Sequence, residues 1–299
     1  LMFLSQLVVA MIYRSYCYRH WSEAHLTREF SFSTFKSLLN FSGWNVIAHL
    51  AETFRVQGLI MLFGMFFQPV VIAAQSIATQ LSHGITSFTS NFRVAINPQI
   101  IKLYATKQYD ESRKLTLESS IYVFELYLLF GIPIFLLAEP IMHLWLKDVP
   151  EYAIAFSRCI IVSAMFGVFS AGFYTPLTAA GKLRGNSIAA LCVCGGQFVL
   201  AYVLLKLGLD VMWVQYGYIV VAMLFGLVIK PYLLIREVGY KVVDFIVCFK
   251  KGFMIFILSF LIPFIVSLYV DVNMIGGFMV VGFVSVLSVL LVSFMYLSK

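Results

Sequence analysis

Two side chains of opposite charge, Glu52 and Arg55, lie near the middle of an apolar stretch that covers residues 38–67. A charged group at the centre of a bilayer costs at least about 2.5–3.5 kcal/mol, so it normally faces protein or water. A spacing of three residues places the two on one helix face, where they can neutralise each other. The same face carries Ser42, Asn45 and His49 at steps of three or four residues. This stripe predicts the wall of a pathway, while the more ordinary interpretation of His49 alone is a hydrogen-bonded interior histidine.

The next apolar segment, residues 70–92, carries the longest polar face of the chain. Hydrogen bonds between membrane helices explain two or three such residues. A stripe that runs the whole length of the segment instead favours a water-filled cavity. The face ends at Arg93 and consists of Gln75, Thr79, Ser82, Thr86 and Ser90, widened by Gln80, His83, Ser87 and Asn91.

Glu125 lies deeper in the apolar segment 116–137 than Glu118, which is two helical turns away on the same face. A carboxyl group held away from water can take up and release protons near neutral pH. Glu125 is therefore, with Glu52, a candidate for coupling to H⁺ or Na⁺. An ion pair or a hydrogen bond to a neighbouring helix is the alternative interpretation.

The sequence contains none of the common catalytic motifs. It has no G-x-x-x-x-G-K-[ST] nucleotide loop, no H-E-x-x-H metal site and no G-x-S-x-G elbow. The five cysteines show no metal-ligand spacing and are interpreted as packing residues. We therefore expect no enzyme activity, no cofactor and no metal, and any transport must run on an ion gradient, on the substrate concentration or on a partner.

The overall composition indicates an integral membrane protein. Hydrophobic residues make up 61% of the 299 and charged residues only 12%, whereas a soluble domain is typically about one quarter charged. Residues 1–13 are too short to span a bilayer and are interpreted as the end of a truncated helix. Eight further segments predict an all-α polytopic protein with eight complete spanning helices: 38–67, 70–92, 116–137, 153–174, 187–205, 212–234, 253–269 and 274–297.

The basic residues predict the orientation of these helices. Most of the 21 Lys and Arg fall in alternate loops, at residues 14–36, 93–114, 182–184 and 230–251 and at Lys299, and the set includes Lys230. The positive-inside rule makes these loops cytoplasmic. The formal charge of +7 is then explained by topology, and no nucleic-acid partner is expected.

Loop lengths and polarity divide the chain into four parts. Residues 1–13 end the truncated helix, and residues 14–37 form a cytoplasmic linker. Residues 38–235 form a bundle of six helices joined mostly by short loops, which makes sequential helices antiparallel. Residues 236–299 hold the last two helices, which have few polar groups between residues 253 and 297 and look lipid-facing and accessory.

Two short motifs at the cytoplasmic loops resemble those of the multidrug/oligosaccharidyl-lipid/polysaccharide exporter superfamily. Residues 98–105, followed by Asp110 and Glu111, match its "P-x-I-x-K-x-Y-A" turn after the second helix of a bundle. Gly181 and Lys182 match the "G-K" turn after the fourth helix. The order of the segments resembles the O-antigen and polysaccharide flippase branch, in which two six-helix bundles are joined by a linker and two helices are often appended.

This resemblance implies a MATE-like two-bundle transporter in the bacterial cytoplasmic membrane, of which residues 38–235 are the second six-helix bundle. It also implies the cargo, an undecaprenyl-diphosphate-linked oligosaccharide moved from the inner to the outer leaflet. Basic groups in the cavity of such proteins are thought to meet the diphosphate-sugar head, and Arg55 is placed to do so here.

Two other functions compete with the flippase. A cation-coupled multidrug exporter of the same fold suits a cavity with acidic groups, and Glu52 and Glu125 leave that open. A membrane-bound glycosyltransferase or polysaccharide polymerase needs catalytic groups or a large outer loop. The longest outer loop, residues 138–152, is modest, so its charged residues are interpreted as solvated.

Overall fold

The computed structural model of the chain describes residues 2–21 and 31–297. The predicted linker residues 22–30, together with Lys299, lie outside this part of the chain. The described residues contain no β-strand and form helices α1 Met2–His20, α2 Phe32–Phe66, α3 Pro69–Ala105, α4 Tyr109–Leu136, α5 Ala138–Trp145, α6 Ala153–Phe169, α7 Tyr174–Ala179, α8 Arg184–Lys206, α9 Val211–Leu224, α10 Lys230–Val238, α11 Val242–Tyr269 and α12 Ile275–Leu297.

Seven helical stretches within the described residues are long and apolar enough to cross a bilayer, so the chain is a multi-pass membrane protein. The segment 70–92, expected as an eighth span, lies in α3, which has ample length at 37 residues. The long polar stripe of α3 makes it less apolar than the seven: Ser42–Phe66, Tyr109–Leu136, Ala153–Ala179, Arg184–Lys206, Val211–Val238, Val242–Tyr269 and Ile275–Tyr296.

Several helices continue beyond the apolar segments that predict them. Helix α1 extends past Tyr13 to His20, and α2 begins at Phe32, inside the expected linker. Helix α3 reaches Ala105, so residues 98–105 form its last turns and are not a turn between helices. A helix that leaves the apolar layer need not end there, because its backbone hydrogen bonds are internal.

The chain divides into two compact units, residues 1–42 and 43–299. In the first, α1 and the start of α2 carry mostly exposed side chains. The second unit has two hydrophobic cores. The larger core joins α4 and α6 to α11 and α12, with Phe124, Phe169 and Ile255 among its members. The smaller core joins the C-terminal ends of α2 and α8 to the N-terminal ends of α3, α6 and α9, around Phe63 and Phe156.

The last two helices are more than a lipid-facing appendage. Helices α11 and α12 pack against each other and against α4. One face of the pair is buried, and it includes Ile255, Ser259, Val281 and Ser285. The opposite faces expose large apolar side chains, so the lipid-facing expectation describes only part of each helix.

Two helix pairs of the second unit are interrupted, and the interruptions lie together. Helix α6 ends at Phe169 and continues through a 3₁₀ turn, Ala171–Phe173, into α7. Helix α9 passes through a π-helical segment, Phe225–Ile229, into α10. Gly226 lies against α6, because a Cβ atom there would lie 2.9 Å from the Phe166 carbonyl oxygen. Only glycine permits this close approach of the two backbones.

Candidate functional site

A cavity of about 450 Å³ lies in the second unit, among α2, α3, α6, α8 and the α9–α10 pair. Both polar stripes predicted from the sequence reach it. Glu52 and Arg55 come from α2, and the α3 stripe contributes four residues of the predicted set and His83. The six predicted residues that line the cavity are Glu52, Arg55, Gln75, Thr79, Ser82 and Thr86.

Two other predicted members of the α2 stripe do not line this cavity. Asn45 is partly buried, and its Oδ1 accepts a hydrogen bond of 2.7 Å from the Tyr174 hydroxyl. His49 is exposed, and its backbone carbonyl accepts a hydrogen bond from Thr53. The N-terminal part of the stripe therefore contributes a contact to α7 at Asn45 and an exposed side chain at His49.

The Glu52–Arg55 pair is bidentate. Arg55 Nη2 lies 2.5 Å from Glu52 Oε1, and Arg55 Nε lies 3.0 Å from Oε2. The side chains are 58% exposed for Glu52 and 31% for Arg55, so both charges reach the open cavity. Tyr218 of α9 and Cys194 of α8 line the same cavity. The pair is thus held by its own helix and remains accessible to an occupant.

Lys230 is the main charged residue of the site that the sequence pattern does not reveal. The charge distribution assigns it to a cytoplasmic loop, whereas the structure places it inside the span Val211–Val238 and on the cavity wall. Its Nζ donates to the carbonyl oxygen of Ser170 at 3.3 Å and to Ser170 Oγ at 3.2 Å. Lys230 also interacts electrostatically with Glu52 and Arg93.

Amide side chains line another part of the cavity. Gln75, Gln197 and Gln215 come from α3, α8 and α9, and all three are buried. Gln215 Nε2 donates to Gln75 Oε1 at 2.6 Å. Gln197 and Gln215 are absent from the predicted site, although a single Gln within an apolar segment signals a polar environment, because an amide buried without partners is costly.

Glu125 lies away from the cavity. Its side chain is 6% exposed on the face of α4 that α11 and α12 cover. Ser293 of α12 and Lys251 of α11 act on the carboxyl group, but its Oε1 has no hydrogen-bond partner among the described residues. The two carboxyl groups proposed for ion coupling, Glu52 and Glu125, are therefore on different sides of the bundle wall.

The cavity wall combines charge with uncharged hydrogen-bonding groups. Two cations, Arg55 and Lys230, face one carboxylate, Glu52, among the described lining residues. Such a wall can hold an anionic group and several hydroxyl or amide groups at once. No group of three or more His, Cys, Asp or Glu suited to a metal ion occurs in the described part of the chain. No family model, no curated protein and no solved structure matches this chain.

Proposed function

We propose that the chain is part of a flippase that carries undecaprenyl-diphosphate-linked oligosaccharides across the bacterial cytoplasmic membrane for polysaccharide or O-antigen assembly. In this proposal residues 38–235 are the second six-helix bundle of a MATE-like two-bundle transporter. The observation that carries it is the cavity among otherwise apolar helices, where Arg55, Lys230 and Glu52 face the same space as three glutamines.

The charges of the cavity suit a diphosphate head group. Moving an anion into hydrocarbon is very costly unless a cation accompanies it. Lys230 is bound only by the Ser170 oxygens among the hydrogen bonds of the described residues, so its charge is not paired by direct contact with a carboxylate. Arg55 is shared with Glu52, and its remaining donors are available to a phosphate oxygen. The polyprenyl tail stays in the lipid.

The Arg55 contribution is tested with proteoliposomes that report transport of an undecaprenyl-diphosphate-linked sugar. Arg55→Gln alone leaves Glu52 unpaired, so its loss of activity has two explanations. The double variant Glu52→Gln/Arg55→Gln removes both charges and leaves neither alone. We expect it to insert and fold normally and to lose most transport, while Arg55→Lys keeps a part. Full transport by the double variant would show that Arg55 is structural.

The Lys230 contribution has a matched control in Lys206. Lys206 ends α8, is exposed, and stacks on Tyr202 at 5.8 Å outside the cavity. We expect Lys230→Gln to lower transport roughly 10-fold or more, as loss of one charged contact of about 1.4 kcal/mol or more predicts. Lys206→Gln should transport normally. Equal effects of the two variants would contradict a role for the cavity lysine.

A cation-coupled multidrug exporter is the second candidate, and Glu52 in the cavity wall is the observation that favours it. That function predicts export of a cationic dye such as ethidium under an H⁺ or Na⁺ gradient, with loss of export in Glu52→Gln. The flippase predicts no dye export by the unaltered chain, and it predicts loss of most sugar-lipid transport in the double variant Glu52→Gln/Arg55→Gln. The same proteoliposomes distinguish the two functions.

A further inference from the structure

The cavity has two chemically different ends. Gln75 and Gln215 lie near the first turns of α3 and α9, which begin at the same end of the bundle. Lys230 lies fifteen positions beyond Gln215, roughly 22 Å farther along the helix axis at 1.5 Å per residue. Arg55 lines the cavity between these ends. The wall therefore carries amide groups at one end and Lys230 at the other, with Arg55 between them.

Two of the three amides are fixed by hydrogen bonds. Gln75 Oε1 accepts from Gln215 Nε2 at 2.6 Å, and Gln75 Nε2 lies 3.5 Å from Thr79 Oγ1. The Thr79 hydroxyl donates in turn to the Gln75 carbonyl oxygen at 2.8 Å. Side chains fixed in this way lose little further conformational entropy when they contact a ligand, which favours binding.

The third amide, that of Gln197, lacks a hydrogen-bond partner for its oxygen within the described part of the chain. Gln197 is only 4% exposed, and its Oε1 has no hydrogen-bond partner among the described residues. Buried polar atoms in folded proteins nearly always have a partner. Because Gln197 lines the cavity, we expect a rotation of its terminal amide to let the occupant supply the missing donor. A hydroxyl or amide N–H group supplies such a donor, whereas a phosphate oxygen at neutral pH does not.

We propose that Gln75, Gln197 and Gln215 form a carbohydrate subsite, which selects a head group carrying sugars over the bare diphosphate lipid. This inference rests on the proposed function and deepens it. The diphosphate lies toward Arg55 and Lys230, and hydroxyl and N-acetyl groups of the sugar meet the three amides. An amide carries both donors and an acceptor, which matches the mixed character of a sugar. A site built to hydrogen-bond a group discriminates strongly against a ligand that lacks it.

The experiment compares two probes on the purified protein in lipid nanodiscs: undecaprenyl diphosphate and undecaprenyl-diphospho-N-acetylglucosamine. The intact chain should bind the sugar-bearing probe roughly 10-fold more tightly, as one or two hydrogen bonds predict. Gln197→Met keeps the side-chain length and removes its polar atoms. It should bind both probes with the affinity that the intact chain shows for the bare diphosphate lipid.

Gln80→Met is the matched control, because Gln80 is an exposed residue of α3 outside the cavity lining. It should keep the preference for the sugar-bearing probe. If Gln197→Met does not fold, Gln197→Asn withdraws the same amide by one methylene group and should reduce the preference in the same direction.

Each other outcome overturns the inference. Equal binding of the two probes by the intact chain removes the subsite and leaves the proposed function standing. If Gln197→Met weakens the binding of both probes equally, Gln197 has a structural role. If the variant keeps the preference for the sugar-bearing probe, Gln197 does not meet the sugar. Binding of neither probe by the intact chain removes the proposed function itself, together with the inference that rests on it.

Discussion

Glu52 and Glu125 are two carboxyl groups in apolar helices, and their surroundings are opposite. Glu52 faces the cavity, is paired with Arg55 in two hydrogen bonds, and is more than half exposed. Glu125 is buried where α4 meets α11 and α12, and one of its oxygens has no hydrogen-bond partner among the described residues. Depth in an apolar segment therefore does not decide what a carboxyl group does, whereas the space that it faces does.

The same contrast extends to the two sides of the bundle. On the cavity side, polar side chains from six helices leave room for an occupant. On the other side, α11 and α12 close over α4 with aromatic and aliphatic side chains. Variants on the cavity side should change binding, and variants on the packed side should change stability.

The largest effect on stability is expected from Gly252→Leu on the packed side. A Cβ atom at Gly252 would lie 2.7 Å from the ring of Phe169, and that ring is held by Phe124 and Phe249. Overpacking of this kind costs about 1–3 kcal/mol or more, so the melting temperature in detergent should fall sharply. Gly196→Leu is the control, because nothing lies within 4 Å of its added Cβ atom. Equal melting temperatures would show that the packed side is loose.

The second prediction is that replacement of the two carboxyl groups changes stability in different directions. Glu52→Met leaves Arg55 without its partner and should lower stability by about 1–2 kcal/mol, less than in a fully buried pair because both groups are partly exposed. Glu125→Met removes an incompletely bonded oxygen and should leave the melting temperature unchanged or slightly raised. Transport by the two variants sharpens the comparison. Loss of transport in a well-folded Glu125→Met would assign ion coupling to Glu125.

A smaller effect on stability is expected from the titration of Tyr240, which lies at the end of the packed side. Burial raises the pKa of this phenol to about 12, although Thr116 and Arg113 act in the opposite direction. The unfolded chain loses this proton near pH 10 and the folded chain keeps it, so stability is lost as the pH rises from 10 to 12. At pH 11 the loss is about 1.4 kcal/mol. Melting temperatures of the intact chain and Tyr240→Phe, measured from pH 8 to pH 11.5, should differ in slope only above pH 10. Parallel curves would contradict a closed packing at Tyr240.

The smallest effect on stability is expected from two exposed positions that test orientation. Lys102 lies in the last turns of α3, and Asp148 lies in the connection between α5 and α6. Cysteine at either position should leave the melting temperature unchanged. A membrane-impermeant thiol reagent should label position 148 in intact cells and position 102 only after permeabilisation. Labelling of both from one side would contradict the predicted topology, in which residues 93–114 are cytoplasmic and residues 138–152 form an outer loop.

Local periodicity was enough to predict much of the cavity wall. Glu52, Arg55, Gln75 and Thr79 fall on helical faces that the spacing of the residues defines, and the structure places these faces on one cavity. Helix ends were harder to predict, because α1, α2 and α3 continue through polar residues that a membrane pattern takes as loops. Polar composition marks the edge of the bilayer and not the end of a helix.

Contacts between distant segments could not be derived from the spacing. Nothing local distinguishes Asn45, which bonds to Tyr174, from the cavity residues Glu52 and Arg55, two and three turns later. The position of Glu125 depends on which face of α4 the last two helices cover, and Gln215 meets Gln75 only after α3 and α9 have packed. Each of these facts is a property of tertiary packing, which a single helical stripe does not contain.

The π-helical segment Phe225–Ile229 has a geometric consequence for Lys230. The cavity residues of α9 follow the ordinary helical rhythm, Gln215, Tyr218, Ala222 and Phe225, and an unbroken α-helix would bring Ile229 to the cavity next. The wider turn holds one residue more, which sets back the angular position of every later residue by about 100°. Lys230 therefore takes the place of Ile229 on the polar wall. An unbroken α-helix of the same sequence would turn Lys230 about 100° away from the cavity, and the π-helical segment keeps it there. Removing one residue from this segment would restore an α-helix with the lysine still on the cavity wall.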